Sequence, residues 1–161
     1  MGETEKTNAM RILEASGIGY TPHSYPHGGE AVDGVTVARL TGRDPAQVFK
    51  TLVTEGAPGK MHVFVIPVAK ELDLKAAARA AGEKSVQMLH VKDLLRVTGY
   101  VRGGCSPVGM KKAYPTVIDE DCLYFDTILV SGGRIGLQIE LSPDDLKRIT
   151  GGTIAPVSRE A

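Results

Sequence analysis

Apolar positions follow a helical period in some segments of the chain and a strand period in others. This periodicity, with the capping residues, predicts helices at residues 6–16, 35–40, 73–81, 91–98 and 142–150, and a brief helical turn at 44–47. Runs rich in β-branched and apolar residues predict strands at residues 18–25, 48–54, 61–67, 86–89, 116–119, 127–131, 135–141 and 153–157. Short helices and short strands therefore alternate irregularly along the chain.

Two glycine-rich turns predict β-hairpins. The segment 56–59, Gly-Ala-Pro-Gly, separates the second and third predicted strands, and Gly132-Gly133 separates the strands at 127–131 and 135–141. Hairpins mixed with helices are typical of an α+β or mixed α/β domain with a curved, largely antiparallel sheet. The GxGxxG loop of a doubly wound nucleotide-binding fold is absent from the sequence.

The composition is that of one soluble globular domain covering residues 1–161. The chain has 42% hydrophobic and 24% charged residues, and it contains no internal repeat or low-complexity linker. A chain of this length buries roughly 70% of its unfolded surface, so it needs no disulfide or structural metal to fold. No apolar run approaches the roughly 20 residues that cross a bilayer, and no apolar signal core follows the polar first residues. We therefore expect a cytoplasmic protein without a membrane partner.

The cysteines and histidines do not form a recognisable metal-binding pattern. Cys105 and Cys122 stand in no CxxC spacing, and the four histidines are scattered along the chain. Zinc sites and metalloprotease helices require closely spaced ligands. We expect no metal and no cofactor, and a pair of reduced thiols.

The formal net charge of zero conceals an uneven distribution of charge. Residues 1–59 have a net charge of −2, residues 60–112 of +6 and residues 113–161 of −4. If the fold collects the basic middle segment on one face, that face could contact phosphates. The same lysines could equally well only solvate the surfaces of helices.

Lys50 is the first candidate for chemistry, because it lies within the predicted strand 48–54 among apolar neighbours such as Phe49 and Leu52. A desolvated ammonium group costs several kcal/mol unless an anion or a carbonyl group compensates for the lost water. A substrate phosphate, carboxylate or ester carbonyl would supply that compensation. An alternating strand with one solvated face would explain the lysine without any ligand.

The glycine-rich segment 103–109 is the second candidate. Adjacent glycines at Gly103 and Gly104 let a ligand approach the backbone, and successive N–H groups can then hold an oxyanion or a carbonyl oxygen. An ordinary surface loop would also explain these glycines. Cys105 could be a nucleophile if its thiol pKa were low, but no histidine or acid is paired with it, and apolar packing is the more common role.

The hairpin formed by segments 127–131 and 135–141 is the third candidate, because Ser131 and Gln138 could hydrogen-bond a ligand. A plain tight turn would explain its glycines equally well. Tyr20, His23 and Tyr25 in the first predicted strand could line a pocket, although packing in the core is the simpler interpretation. No Ser-His-Asp order, Walker loop or paired-carboxylate motif is present.

Four sequence blocks together resemble the YbaK family of aminoacyl-tRNA deacylases. They are DGVTV at 33–37, VFKTLV at 48–53, GGCSPVG at 103–109 with lysines at 111 and 112, and GLQIELSP at 136–143. Their order and spacing also fit the family, and the similarity extends from about residue 6 to about residue 157. Several ungapped blocks are far more specific than any one of them.

The resemblance implies a trans-acting editing enzyme related to the domain inserted in bacterial prolyl-tRNA synthetases. The implied fold is a mixed α/β domain with a barrel-like sheet surrounded by short helices. The implied activity is deacylation of tRNA mischarged with cysteine, chiefly Cys-tRNA(Pro), with prolyl-tRNA synthetase as a partner. Editing at a second site is chemically reasonable, because a pocket rejects a near-isostere by only about 1–3 kcal/mol. The basic segment 60–112 would then contact the phosphates of the acceptor stem.

The resemblance also implies roles for individual residues. Lys50 matches the family's essential lysine, which would bind the phosphate of the terminal adenosine or the aminoacyl end. Gly103 and Gly104 match the loop whose backbone meets the aminoacyl carbonyl. The implied substrate-binding residues are Tyr20, Phe49, Ser131 and Gln138. Some relatives have Asp where this chain has Gln138, which argues against an ionic role at this position.

The family's scheme needs no enzyme nucleophile, because the cysteine thiol of the substrate attacks its own ester carbonyl and forms a cyclic thiolactone. The enzyme only orients the thiol and stabilises the developing oxyanion. Two alternatives remain open. One is a deacylase for Ala-tRNA(Pro) or another small aminoacyl ester, acting through water. The other is a non-catalytic module that binds aminoacyl-tRNA or a synthetase.

Overall fold

The computed structural model describes residues 5–161, which contain five α-helices and ten β-strands. The helices are α1 Asn8–Ala15, α2 Gly34–Leu40, α3 Leu74–Ala81, α4 Val91–Thr98 and α5 Pro143–Thr150, and a 3-10 helix covers Glu120–Tyr124. The strands are β1 Thr21–Ser24, β2 Phe49–Glu55, β3 Met61–Pro67, β4 Lys70–Leu72, β5 Gln87–Met88, β6 Thr116–Asp119, β7 Ile128–Ser131, β8 Leu137–Leu141, β9 Thr153–Ala155 and β10 Ser158–Glu160.

Side-chain caps and glycines set the ends of the helices. Asp73 accepts a hydrogen bond from the N–H of Ala76 at 3.1 Å, and this contact begins α3. Ser142 caps α5 in the same way, with a proline at the first helical position. Gly82 and Gly151 end these two helices with φ values of 71° and 65°, which a residue with a side chain rarely adopts. These local signals explain why α3 and α5 were predictable from the sequence.

The strands form three hydrogen-bonded sheets of mixed direction. A five-stranded sheet has the order β5-β2-β3-β6-β9, a three-stranded sheet has the order β1-β8-β7, and β10 pairs with β4. Five of these strand pairings are antiparallel, while β3-β6 and β6-β9 are parallel. A parallel bridge between Val48 and Leu129 connects the two larger sheets. The predicted mixed and largely antiparallel α/β architecture is confirmed, with its strands divided among three sheets.

The central strand of the five-stranded sheet, β3, is buried on both faces. On one face of β3, Val65 packs in a cluster with Phe49 and Ile139, under α1 and the three-stranded sheet. On the other face, Phe64 and Ile66 pack in a second cluster that includes residues of α3. Because β3 faces two cores, its sequence is nearly continuous in apolar residues and lacks the alternation of a half-solvated strand.

Both predicted hairpins form, β2 with β3 and β7 with β8. Two predictions differ from the structure, and one strand pair was missed. The first strand is limited to Thr21–Ser24, the segment 44–47 is a hydrogen-bonded turn without helix, and the β4-β10 pair was not predicted. This pair depends on a contact between Leu72 and Ser158, far apart in sequence, for which local periodicity gives no signal. Within residues 5–161, no helix has the length and apolarity needed to span a bilayer.

Candidate active site

A cavity of about 810 Å³ opens between the start of β2 and the β7-β8 hairpin. The loop before α2 and the glycine-rich loop after α4 complete its walls. Its lining includes Phe49, Lys50 and Thr51 of β2 together with Gly103, Ser131 and Gln138. The charged residues Glu30, Asp33 and Arg102 also line it. Residues from four separate parts of the sequence therefore meet at this one cavity, which has the size of a small-molecule binding site.

The structure brings together five of the seven site residues predicted from the sequence, since Phe49, Lys50, Gly103, Ser131 and Gln138 all line the cavity. Tyr20 and Gly104 are not among its lining residues.

Tyr20 lies outside β1, and its hydroxyl donates a hydrogen bond of 2.6 Å to Glu14. A different tyrosine, Tyr25, lines the cavity and is buried. Both tyrosines fall in the predicted strand 18–25, and the apolar pattern alone does not distinguish which of them faces the site.

Gly104 has a packing role beside the cavity. A Cβ atom at this position would lie 2.9 Å from backbone atoms of Arg134 and Ile135, so the loop can approach the β7-β8 hairpin only with a glycine here. Its N–H donates to the carbonyl of Val101 at 3.0 Å and is therefore already occupied. Gly104 thus fixes the position of the loop, whereas Gly103 lines the cavity.

Gly103 adopts a φ of +83°, a conformation that favours glycine. A Cβ atom there would come within 2.8 Å of the Cβ of Ala31, across the cavity wall. Within the described chain, the backbone N–H groups of Gly103 and Cys105 have no hydrogen-bond acceptor. The N–H of Arg102, which also lines the cavity, has no acceptor there either, so three cavity-lining residues of this loop each have an amide donor without a partner.

The ammonium group of Lys50 lies at the cavity without a carboxylate partner among the described residues. Within residues 5–161, the ammonium group makes one hydrogen bond, a long contact of 3.4 Å with the carbonyl oxygen of Val68. Burial lowers the pKa of Lys50 below its usual 10.5, and the charge of Glu71 offsets part of this effect. The structure therefore presents a half-buried cation with an open position for an anionic or carbonyl group.

Two buried polar atoms at the same cavity lack hydrogen-bond partners among residues 5–161. They are Oγ1 of Thr51 and Oε1 of Gln138. Unpaired buried polar atoms are rare in folded proteins, since each costs about 1–3 kcal/mol. Their location in one cavity suggests that a ligand completes their hydrogen bonding. Sequence reasoning missed Thr51, because threonine is common in strands and nothing local distinguishes this one.

Both cysteine thiols are buried. Burial raises the pKa of the Cys105 thiol to about 11, and burial together with nearby aspartates raises that of Cys122 to about 11. A nucleophilic cysteine needs a lowered pKa. Cys105 therefore lines the cavity as a neutral thiol. The described residues also contain no cluster of three or more metal-binding side chains.

Glu140 on β8 connects three further segments through its carboxylate. Oε1 accepts hydrogen bonds from His23 at 2.8 Å and from Arg43 at 2.9 Å, and Oε2 accepts one from Thr127 at 2.5 Å. Burial raises the pKa of Glu140, but the Thr127 and His23 hydrogen bonds and the Arg43 charge outweigh it and bring the pKa below 4.5.

This network lies next to the cavity. Glu140 and Gln138 are two residues apart on β8 and so share one face of the strand, and His23 pairs directly with Gln138 across β1 and β8. The amide of Gln47 donates to the carbonyl of Thr127 at 3.0 Å, just before Val48 makes the bridge to the neighbouring sheet. The Glu140 network therefore positions the wall that contains Gln138 relative to the wall that contains Lys50.

Most of this chain matches one known protein family. Residues 30–149 match the family described as the aminoacyl-tRNA editing domain, and this range includes the lining residues of β2, of the loop after α4 and of the β7-β8 hairpin. The chain belongs to the aminoacyl-tRNA editing domain family. This assignment confirms the resemblance found in the sequence and the class of enzyme that it implies.

Individual relatives make the likeness more specific. The chain is 44% identical over 154 residues to EbsC of Enterococcus faecalis, a proposed Cys-tRNA(Pro)/Cys-tRNA(Cys) deacylase. The alignment covers 96% of this chain and 94% of EbsC. A solved structure of a proposed trans-editing enzyme for prolyl-tRNA synthetase is 25% identical with a TM-score of 0.82, covering 96% of this chain and 99% of that one. The structure of the hypothetical protein APE2540 is 27% identical in sequence and superposes with a TM-score of 0.83. The match covers 92% of this chain and 97% of that one.

We expect Glu140→Gln to lower the melting temperature at pH 7 by roughly 5 °C, through the loss of about 2 kcal/mol of charge-assisted hydrogen bonding. Because the folded-state pKa of Glu140 is lowered, its stabilising contribution is complete above the unfolded value of 4.5 and is lost as the pH falls through the folded value. The difference in melting temperature between the wild type and Glu140→Gln should therefore narrow below pH 4.5.

Thermal unfolding measured between pH 7 and pH 3 checks this expectation. Glu120→Gln, at an exposed position without an ion-pair partner among the described residues, is the matched control. A constant difference across the whole pH range would show that the charge of Glu140 contributes nothing to stability.

Proposed function

We propose that this chain, acting as one editing domain, deacylates tRNA mischarged with cysteine, Cys-tRNA(Pro) in particular. The observation that carries the proposal is one cavity whose lining includes Lys50, without an ion-pair partner among the described residues, and Thr51 and Gln138, each with an unpaired polar atom. Family membership supplies the bond that is cleaved, and the 44% identical relative EbsC supports cysteine as the amino acid. The trans-editing structural relative supports an association with prolyl-tRNA synthetase.

In this proposal Lys50 binds the end of the tRNA. A half-buried ammonium without a carboxylate partner attracts a phosphate or the polarised oxygen of an ester more strongly than it would in water. The terminal adenosine supplies the first group and the aminoacyl bond supplies the second. Burial lowers the pKa of Lys50, and the charge of Glu71 opposes this effect and favours the ammonium form.

Gly103 would provide the electrostatic stabilisation of the transition state. Its N–H and those of its neighbours Arg102 and Cys105, which also line the cavity, have no hydrogen-bond acceptor within residues 5–161. An oxyanion that develops on the ester carbonyl can accept from these donors, and the fold has already held them in position before the reaction. The left-handed backbone at Gly103 keeps the loop in this shape.

Thr51 and Gln138 would orient the cysteinyl group. Oε1 of Gln138 is a hydrogen-bond acceptor, and it therefore suits the α-ammonium group of an aminoacyl ester. The hydroxyl of Thr51 can donate or accept, so it can bind either the carbonyl oxygen or the thiol. Gln138 makes this contact as a neutral dipole, which differs from the ionic contact that an aspartate would make.

The reaction proposed for this site uses the thiol of the substrate as the nucleophile. The sulfur bonds to the carbonyl carbon, the bond from that carbon to the ribose oxygen breaks, and the thiol proton passes to the ribose oxygen. The products are a cyclic thiolactone of cysteine and free tRNA. The two reacting groups belong to one molecule, so the enzyme contributes orientation and charge stabilisation rather than a nucleophile of its own. The raised pKa of Cys105 is consistent with this scheme.

We expect Lys50→Met to lower kcat/KM for Cys-tRNA(Pro) deacylation by about 10²- to 10³-fold, since it removes the charge and keeps the length of the side chain. The melting temperature should not fall, because the ammonium group is partly desolvated without an ion-pair partner among the described residues. The rate of release of free tRNA under single-turnover conditions measures the effect.

Lys60→Met is the matched control, because Lys60 is exposed in the turn between β2 and β3. Its deacylation rate should equal that of the wild type. Binding of Cys-tRNA(Pro) without turnover by the wild type would instead favour a non-catalytic module. An unchanged rate in Lys50→Met would exclude the assigned role of the lysine.

We expect Cys105→Ala to retain most of the wild-type activity. With a pKa of about 11, the thiolate fraction at pH 7 is on the order of 10⁻⁴, too small for efficient nucleophilic catalysis. Gly103→Ala provides the contrast, since its Cβ would lie 2.8 Å from that of Ala31 and displace the donor loop. Deacylation assays and thermal unfolding on both variants test whether the Cys105 thiol takes part in the reaction. Complete inactivation of a folded Cys105→Ala protein would indicate that this thiol is the nucleophile.

A further inference from the structure

A second cavity of about 390 Å³ lies beside α3 and the turn that follows it. Lys75 and Arg79 are one helical turn apart on α3, and Lys84 comes from the segment after the helix. All three side chains are exposed. We refer to this cavity with its three cations as the α3 cleft.

The α3 cleft has a strong local excess of positive charge. Lys75, Arg79 and Lys84 have no ion-pair partner within the described chain. The one acidic lining residue is Glu83, and both of its carboxylate oxygens are occupied, by His62 at 2.7 Å and by the N–H of Ala57 at 3.1 Å. The pKa of Glu83 is lowered by its hydrogen bonds with His62 and Ala57, so it stays ionised and offsets one of the three positive charges. The formal charge of the cleft lining is therefore +2.

The α3 cleft lies on the same side of the five-stranded sheet as Lys50. Lys50 and Leu52 are two residues apart on β2 and so point to one face. Leu52 lines the large cavity and also packs against the apolar cluster that contains Ala78. Ala78 in turn lines the α3 cleft. One layer of apolar side chains, covered by α3, thus extends from the wall of the candidate active site to the α3 cleft.

We propose that the α3 cleft binds backbone phosphates of the same tRNA whose 3′ end enters the large cavity. The proposal rests on the function proposed above and extends the substrate contact beyond the aminoacyl end. Phosphodiester groups are the anions that this substrate presents along its whole length, and closely spaced Lys and Arg side chains bind them without reading sequence. The chain as a whole has no net charge, so such a contact must come from a local concentration of cations.

The test compares the double variant Lys75→Gln/Arg79→Gln with the wild type. We expect the Kd of uncharged tRNA(Pro) to rise about five- to twentyfold, and the slope of log Kd against log salt to fall by about 1 to 2. The KM for Cys-tRNA(Pro) should rise by a similar factor while kcat stays unchanged, because neither residue lines the large cavity.

Lys147→Gln/Arg148→Gln is the matched control, since it removes one lysine and one arginine from α5, another eight-residue helix. It should leave the Kd and its salt slope close to those of the wild type. Equal weakening in both double variants would mean that only the total charge matters, and it would overturn the proposal. An unchanged Kd in the α3 variant, or a fall in kcat alone, would overturn it as well.

The binding and turnover measurements separate this proposal from the function on which it rests. If the wild type binds tRNA(Pro) through the α3 cleft but does not release tRNA from the cysteinyl ester, the proposed reaction fails and the binding site stands. If turnover is normal and the α3 variant binds like the wild type, the reaction stands and the α3 cleft is excluded as a phosphate site.

Discussion

The carboxylate of Glu140 is the contact on which the geometry of the site depends most directly. It accepts hydrogen bonds from His23 in β1, from Arg43 before β2 and from Thr127 just before β7, and these segments belong to or adjoin different sheets. The nearby parallel bridge between Val48 and Leu129 supplies the backbone connection between the two larger sheets. Lys50 lies in the five-stranded sheet and Gln138 in the three-stranded sheet, so neither sheet alone sets the distance between them. The contacts between the two sheets set it.

The polar groups of the site are left unsatisfied by the protein itself. Lys50 has a long contact with a carbonyl group, and Thr51 and Gln138 each have a buried oxygen without a partner in residues 5–161. These groups cost stability in the free protein, so the surrounding core must hold them in place. A substrate with a phosphate, an ester carbonyl and an α-ammonium group offers complementary partners for all three.

Local sequence signals predicted those parts of the fold that depend on neighbouring residues. The caps of α3 and α5 and the hairpin turns at 56–59 and 132–133 are of this kind. The β4-β10 pair and the division into three sheets depend on contacts between distant segments, and periodicity does not encode them. At the site, an ammonium among apolar residues was recognisable, whereas the unpaired state of Thr51 becomes visible only when its surroundings are known.

The central claim is that the cavity removes cysteine from tRNA with the help of the substrate thiol. The most direct test measures the deacylation rates of Cys-tRNA(Pro), Ala-tRNA(Pro) and Ser-tRNA(Pro) with the wild-type protein. The account predicts rapid loss of the cysteinyl ester and slow loss of the other two, because a hydroxyl is a weak nucleophile at neutral pH and a methyl group is none. Equal or faster loss of the alanyl ester would contradict it and indicate attack by water.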